Sequence, residues 1–160
     1  MAQTYLKNGY ILTMGPDMQV YDGGGLLVQD DTILAVGQVD PALVRPDAEI
    51  IDLQGKYILP GGVDEHVHYG SFGGRLFETA EAAAVGGTTT MGDFAPREKA
   101  GPRLDAIRQQ AAKAEDISSV DFAFHAGIMD PKEPVFEEVR HLPEGGVATL
   151  KFFMAYKGTA

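Results

Sequence analysis

The chain has 160 residues, of which 23 are acidic and 13 are basic, so its formal net charge is −10 at pH 7. This charge repels phosphate backbones and anionic lipid, which argues against nucleic acid and membrane surfaces as partners. There is no cysteine, so disulfides and thiolate ligands are excluded, and a metal ion would need histidine, carboxylate or something rarer. No run approaches the roughly 20 apolar residues of a membrane span, and no secretory signal is visible. We therefore expect a cytoplasmic globular protein.

Residues 1–57 have the pattern of short strands separated by turns. Gly25–Gln29 and Thr32–Gly37 flank an acidic two-residue turn, which predicts a β-hairpin. One or two further strands are predicted in residues 5–13, and a strand–turn–strand pattern covers residues 49–59. We interpret this segment as the N-terminal part of a small β-sandwich domain.

From residue 58 onwards, predicted strands alternate with predicted helices. After a first strand that ends at a histidine pair, the predicted elements are helix 77–85, strand 88–94, helix 103–114, strand 120–125, helix 135–142 and strand 147–154. This alternation predicts right-handed βαβ units and a parallel sheet. The last strand has hardly a polar residue, which is typical of a strand buried on both faces.

The fold class predicted for residues 58–160 is α/β, as the front half of a (β/α)8 TIM-type barrel. A complete barrel of this kind needs about 250 residues, so the four predicted strands are an incomplete one. The alternative is a small open α/β sheet that is complete in itself. That alternative does not explain the β-rich opening segment, or why the chain stops just after a buried strand.

Two histidines separated by one residue follow the first strand of this segment. In an extended chain His66 and His68 face the same side, while Val67 faces the packing layer behind them. Two imidazoles on one face at a strand end provide half of a metal site. The alternative is a pair of loop histidines with ordinary solvent contacts. Asp64 is expected either to orient a ligand imidazole or to cap the turn.

A lysine interrupts the apolar strand at residues 147–154. Lysine is rarely buried without a partner, so one interpretation places Lys151 at the rim of the strand with its amine in water. The other is that its amine has reacted with carbon dioxide to give a carbamate. A carbamate is negatively charged and has two oxygens, so it can bridge two cations that would repel an ammonium group.

Several stretches of the chain resemble the cyclic amidohydrolases. Leu59–His68 is similar to the first metal motif of this superfamily. Residues 86–90, with Asp93 and Phe94, resemble the second strand of its dihydropyrimidinase/hydantoinase branch. Lys151–Gly158 resembles the carboxylated-lysine segment of that branch, and its Met-Ala-Tyr-Lys string is the most specific match. The resemblance extends over essentially the whole chain.

This resemblance implies a (β/α)8 barrel with a β-sandwich built from both chain ends, and hydrolytic opening of a small cyclic amide or imide. It further implies two divalent metal ions, usually zinc, with manganese as the alternative. His66 and His68 would ligate the more buried metal, carboxylated Lys151 would bridge the pair, and Tyr156 would hydrogen-bond the oxyanion.

The resemblance also indicates where the chain departs from the family. The second-metal histidines and the catalytic aspartate of the family would lie beyond Ala160, so we expect either a fragment of a protein that forms a homo-oligomer, or a second chain that completes the barrel. The loop at residues 69–76 differs from the longer loop of the hydantoinases, which helps to shape their substrate pocket. The resemblance therefore does not identify the substrate. His125 is expected to be structural and His141 to lie at the surface. The rival functions are a non-enzymatic relative, such as the collapsin response mediators, which lack the paired histidines, and an assembly unit.

Overall fold

The computed structural model describes four ranges of the chain: residues 1–68, 80–95, 102–128 and 133–152. The chain divides into two compact units, Met1–Pro60 and Gly61–Ala160. Among the helices in the described ranges, none combines the length and apolar character that crossing a membrane requires.

The first unit is one five-stranded sheet. Its strands are β1 (Gln3–Leu12), β2 (Val20–Gln29), β3 (Thr32–Gly37), β4 (Glu49–Asp52) and β5 (Tyr57–Ile58), with a 3-10 helix at Pro41–Leu43. The sheet order is β3-β2-β1-β4, and β5 pairs with β1 beyond β4. β1, β2 and β3 form an antiparallel meander, whereas β4 and β5 are both parallel to β1. The predicted strand–turn–strand at residues 49–59 therefore pairs with β1 and not with itself.

The predicted hairpin between β2 and β3 is confirmed. Gln29 pairs with Thr32, which leaves a two-residue turn in which Asp30 has φ of 52°. A positive φ at the start of the turn is what a two-residue hairpin requires, because it matches the twist of the strands. Ile11 and Leu27 are the largest buried side chains of this sheet, and their burial fixes the register of β1 against β2.

Asp52 closes the turn between β4 and β5. Asn8 Nδ2 donates a hydrogen bond of 3.0 Å to its carboxylate, and so does the backbone N–H of Gln54, also at 3.0 Å. The Asn8 side chain, followed by the Gln54 bond and the more distant charge of Lys7, holds the pKa of Asp52 below its ordinary value. The ionised form of this side chain therefore stabilises the folded unit.

We expect Asp52→Asn to lower the urea midpoint of unfolding at neutral pH, with little difference from the wild type in strong acid. A depressed carboxyl pKa contributes stability above the ordinary value of 3.8, and this contribution is lost as pH falls through the lower folded value. Asp17→Asn, in an exposed turn of the same unit, provides the same charge change as a control. Equal midpoints for both variants across the pH range would contradict the assignment.

The second unit is a four-stranded parallel sheet with helices between the strands. Its elements are β6 (Gly62–Asp64), α1 (Ala80–Val85), β7 (Thr88–Ala95), α2 (Arg103–Glu115), β8 (Asp121–Ile128), α3 (Glu133–His141), a 3-10 helix (Leu142–Gly145) and β9 (Leu150–Phe152). The sheet order β6-β7-β8-β9 follows the chain order. The predicted alternation of strands and helices and the parallel pairing are confirmed.

One face of this sheet packs against the helices and the other carries the candidate site. The helix-facing side includes Met91 and Phe124, which cluster with Ile107 of α2 and with the buried Leu142. Side chains alternate along a strand, so Phe94 of β7 and His125 of β8, which are paired in register, lie on the opposite face. The helix core thus fixes which residues reach that face.

The expectation that the fourth strand is buried on both faces is wrong for its described part. Leu150 is 40% exposed and Phe152 is 54% exposed, because β9 forms one edge of the sheet. The structure describes this strand only as Leu150–Phe152, and residues 153–154 of the predicted strand lie outside the described ranges. Residues 77–79 of the first predicted helix also lie outside the described ranges.

Candidate metal centre

The histidine pair lies in the segment that follows β6. The backbone N–H of Val67 donates to Gly92 O of β7 at 3.0 Å, and Val67 packs against the helix-facing core. His66 and His68 point the other way, as the period-two argument predicted. Asp64 Oδ1 accepts the backbone N–H of His66 at 3.2 Å, which is the turn-capping role that the sequence left open.

The two imidazoles meet at the ring of Phe94. Its centroid lies 4.7 Å from that of His66 and 4.8 Å from that of His68. The imidazole centroids are 5.3 Å apart in an edge-to-face arrangement. Phe94 is only 5% exposed, so its ring is a fixed apolar surface against which both histidines rest.

Lys151 reaches the same ring from the other edge of the sheet. Its Nζ lies 4.8 Å from the Phe94 centroid, within the range of a cation–π interaction. The side chain is half-buried, and its strand places it beside Gly127 of β8. The structure therefore brings the amine of Lys151, on one edge strand, and both histidines, which follow the other edge strand, to one aromatic ring on β7.

These donors fit part of a metal centre. Two imidazoles are suitable ligands for zinc, and a carbamate on Lys151 would add two oxygens of the kind that bridges cations. Within the described ranges, no group of three His, Cys, Asp or Glu side chains is arranged to hold a metal ion. Tyr156, the Met-Ala-Tyr-Lys string and the loop at residues 69–76 all lie outside the described ranges.

His125 of β8 completes the group around Phe94, on which it stacks at 5.1 Å and 29°. Its Nε2 lies 2.7 Å from Glu65 O and its Nδ1 lies 2.6 Å from Thr149 Oγ1. The sequence predicted a structural histidine here but gave it no partners. His141, by contrast, is exposed and lies 3.0 Å from Glu144 Oε1, which confirms its surface position.

Sequence reasoning missed the part played by Phe94. The residue was noted only as half of an Asp-Phe pair at the end of the second strand. Asp93, its neighbour, is fully buried, and its Oδ1 accepts the Phe94 backbone N–H at 2.7 Å. A signal was available: an aromatic residue at the carboxyl end of a parallel strand, beside histidines at the ends of its neighbours, lies where barrel enzymes build their sites.

Known proteins similar to this chain are hydantoinases and dihydropyrimidinases. No family model matches the chain. The D-hydantoinase of Geobacillus stearothermophilus is 38% identical over 159 residues, which cover 95% of this chain and 32% of the relative. The dihydropyrimidinase of Rattus norvegicus is 31% identical over 141 residues, covering 82% and 27% respectively. The crystal structure of a dihydropyrimidinase from Brevibacillus agri superposes with a TM-score of 0.81 at 32% identity, covering 98% of this chain and 34% of that one.

These relatives and the superposed structure are D-hydantoinases and dihydropyrimidinases, and the similarity extends over most of this chain. The chain is thus related to the hydantoinase/dihydropyrimidinase branch of hydrolases. It spans about a third of the length of the curated relatives that it matches.

Proposed function

We propose that the protein hydrolyses a ring amide bond of a small cyclic amide or imide, of the hydantoin or dihydropyrimidine type, at a centre of two metal ions. The observation that carries the proposal is the convergence of His66, His68 and Lys151 on the ring of Phe94. The names of the relatives, D-hydantoinase and dihydropyrimidinase, supply the substrate class.

Each of the three donors has a distinct role in this proposal. His66 and His68 would hold one metal ion through their imidazole nitrogens, and zinc is favoured over manganese. The neutral amine nitrogen of Lys151 would bond to the carbon of CO2 and lose a proton, and the resulting carbamate would offer two anionic oxygens to the metal ions. The metal pair, when bound, supplies a hydroxide nucleophile at neutral pH and polarises the substrate carbonyl.

The proposal also includes Tyr156 and further metal ligands. The phenol of Tyr156 donates a hydrogen bond to the oxyanion that forms as the carbonyl becomes tetrahedral. The other metal ligands come from outside the described ranges or from a second chain that completes the barrel. In this arrangement the second unit, Gly61–Ala160, forms the front half of a (β/α)8 barrel and the first unit, Met1–Pro60, forms part of a β-sandwich, so the predicted boundary at residue 58 moves to residue 61. The complete protein assembles as a homo-oligomer.

The test is metal analysis together with hydrolysis of hydantoin and dihydrouracil. Because this chain alone carries only half of the site, we expect about two equivalents of zinc and ring opening of at least one substrate in the complete assembly that supplies the remaining ligands. A stable, folded assembly that retains neither metal nor activity would favour the non-enzymatic relative instead.

His66→Ala should lower zinc retention and hydrolysis without loss of the fold, because His66 is exposed and its removal leaves no core cavity. His141→Ala is the matched control, since His141 is also exposed but lies on α3. Zinc content by elemental analysis and thermal unfolding distinguish loss of a ligand from loss of structure. Equal zinc content in the two variants would contradict the role of His66.

A further inference from the structure

We propose that His125 is a positioning residue that fixes the segment carrying His66 and His68 relative to the strand carrying Lys151. The inference rests on the proposed function, because it concerns the same metal centre. The supporting observation is that the His125 ring makes two hydrogen bonds, one to the segment after β6 and one to the segment before β9.

The two partners of His125 lie next to the two edge strands of the sheet, one just after β6 and the other just before β9. Glu65, whose carbonyl lies 2.7 Å from Nε2, is the residue immediately before His66. Thr149, whose hydroxyl lies 2.6 Å from Nδ1, is two residues before Lys151. Since the sheet order is β6-β7-β8-β9, one imidazole joins the segment after the first strand to the segment before the fourth.

The chemistry of the two partners fixes the direction of each bond. A carbonyl oxygen only accepts, so Nε2 of His125 must carry a proton and donate it to Glu65 O. In a neutral ring Nδ1 is then the acceptor, and the hydroxyl of Thr149 donates to it. Both ring nitrogens of His125 are thus used, and the ring orientation is determined by bonds from both sides.

Gly92 leaves the space through which the first bond passes. A Cβ built on Gly92 would lie 2.9 Å from His125 Nε2 and 3.0 Å from Glu65 O, so any side chain there would press on both ends of the hydrogen bond. The carbonyl of Gly92 also accepts the backbone N–H of Val67 at 3.0 Å. The histidine segment is therefore held by its neighbour strand β7 and, across it, by β8.

A tie of this kind matters because the residues that carry the imidazoles lie beyond the end of their strand. Residues 65, 66 and 68 are exposed, and β6 has already ended at Asp64. Groups that orient metal ligands from outside the coordination sphere typically change metal affinity by about 10- to 100-fold when they are removed. We expect loss of the His125 tie to have an effect of this size.

The experiment compares Thr149→Val with Thr149→Ser in the full chain. Valine keeps the branched shape of threonine but has no hydroxyl, whereas serine keeps the hydroxyl. We expect Thr149→Val to weaken zinc binding, measured by competition with a chromophoric chelator, by about 10- to 100-fold, and Thr149→Ser to stay near the wild type. Gly92→Ala should weaken binding as Thr149→Val does. Thermal unfolding of each variant verifies that it is folded.

A second measurement observes the tie without metal. Nitrogen-15 NMR of the metal-free wild type should show His125 protonated at Nε2 and accepting at Nδ1, and Thr149→Val should remove the acceptor signature at Nδ1. A wild type that binds zinc, with all variants binding equally, overturns the positioning role and leaves the proposed function intact. A complete assembly that binds no zinc overturns the proposed function, and a His125 proton on Nδ1 in place of Nε2 overturns the tie itself.

Discussion

Replacing Lys151 by alanine is expected to lower kcat/KM for cyclic amide hydrolysis by about a thousandfold or more. Metal ions contribute several kcal/mol of charge stabilisation in such reactions, and each 1.36 kcal/mol corresponds to about a tenfold change in rate. Without the amine at position 151 the proposed carbamate cannot form, so we expect that contribution to be lost. Steady-state kinetics and zinc content, measured on the same preparations, give the two readouts.

Lys151→Arg separates the carbamate from the positive charge. A guanidinium can occupy the position over the Phe94 ring as the ammonium does, at 4.8 Å in the wild type, but it stays protonated and does not form a carbamate. We expect this variant to be as inactive as Lys151→Ala. Lys113→Ala, an exposed lysine at the end of α2, is the control with normal activity. An active Lys151→Arg variant would show that charge alone suffices and would overturn the carbamate.

Carbon dioxide provides an independent test of the same group. Metal-free wild-type protein, reconstituted with zinc, should recover more activity in the presence of bicarbonate than in CO2-depleted buffer. Lys151→Ala should show no bicarbonate dependence. Propionate, a carboxylate small enough to enter the space left by the lysine, should restore part of its zinc binding. Recovery of the wild type that is independent of bicarbonate would contradict a carbamate bridge.

Much of the second unit follows from local sequence pattern. Strong helix formers predict a helix over Arg103–Ala114, and the structure forms α2 over Arg103–Glu115. The alternation of such segments with β-branched strands predicts parallel pairing in chain order, which the registers confirm. These features depend on short-range preferences and on one topological rule, so a single sequence is sufficient to find them.

The strand partners in the first unit could not be predicted from local pattern. Periodicity indicates that Glu49–Asp52 and Tyr57–Ile58 are strands, but it contains no information about which strand they pair with. In the structure both pair with β1, more than 40 residues earlier in the chain. Likewise, the apolar character of the fourth strand did not show that β9 forms a sheet edge. These are long-range choices made by the packing of the whole sheet.

The site residues show the same distinction between local and long-range information. His66 and His68 could be singled out because their spacing is itself the signal, and Lys151 because a charged residue is conspicuous in an apolar strand. Phe94 and His125 gained their roles only from register, which pairs them across β7 and β8. The bonds of His125 join residues 24 and 60 positions apart, and no local pattern encodes such distances.

The second large effect is expected at Phe94. Phe94→Ala should lower the free energy of unfolding by about 3–5 kcal/mol, because it removes a buried aromatic side chain and leaves a cavity. It should also weaken zinc binding, since the ring contacts His66, His68 and Lys151. Urea unfolding and chelator competition on the same samples measure the two effects.

Phe124→Ala distinguishes the role of Phe94 in the site from its role in packing. Phe124 is 7% exposed and Phe94 is 5% exposed, and they lie on adjacent strands but on opposite faces of the sheet. Both variants should therefore lose comparable stability, whereas only Phe94→Ala should lose zinc affinity beyond what destabilisation causes. Phe94→Leu should recover part of the stability but little of the zinc affinity, because leucine fills space without offering a flat ring to the imidazoles. If Phe124→Ala weakened zinc binding as much as Phe94→Ala, the ring of Phe94 would contribute only to core packing. The positions of the histidines and the lysine would then be set by the strands alone.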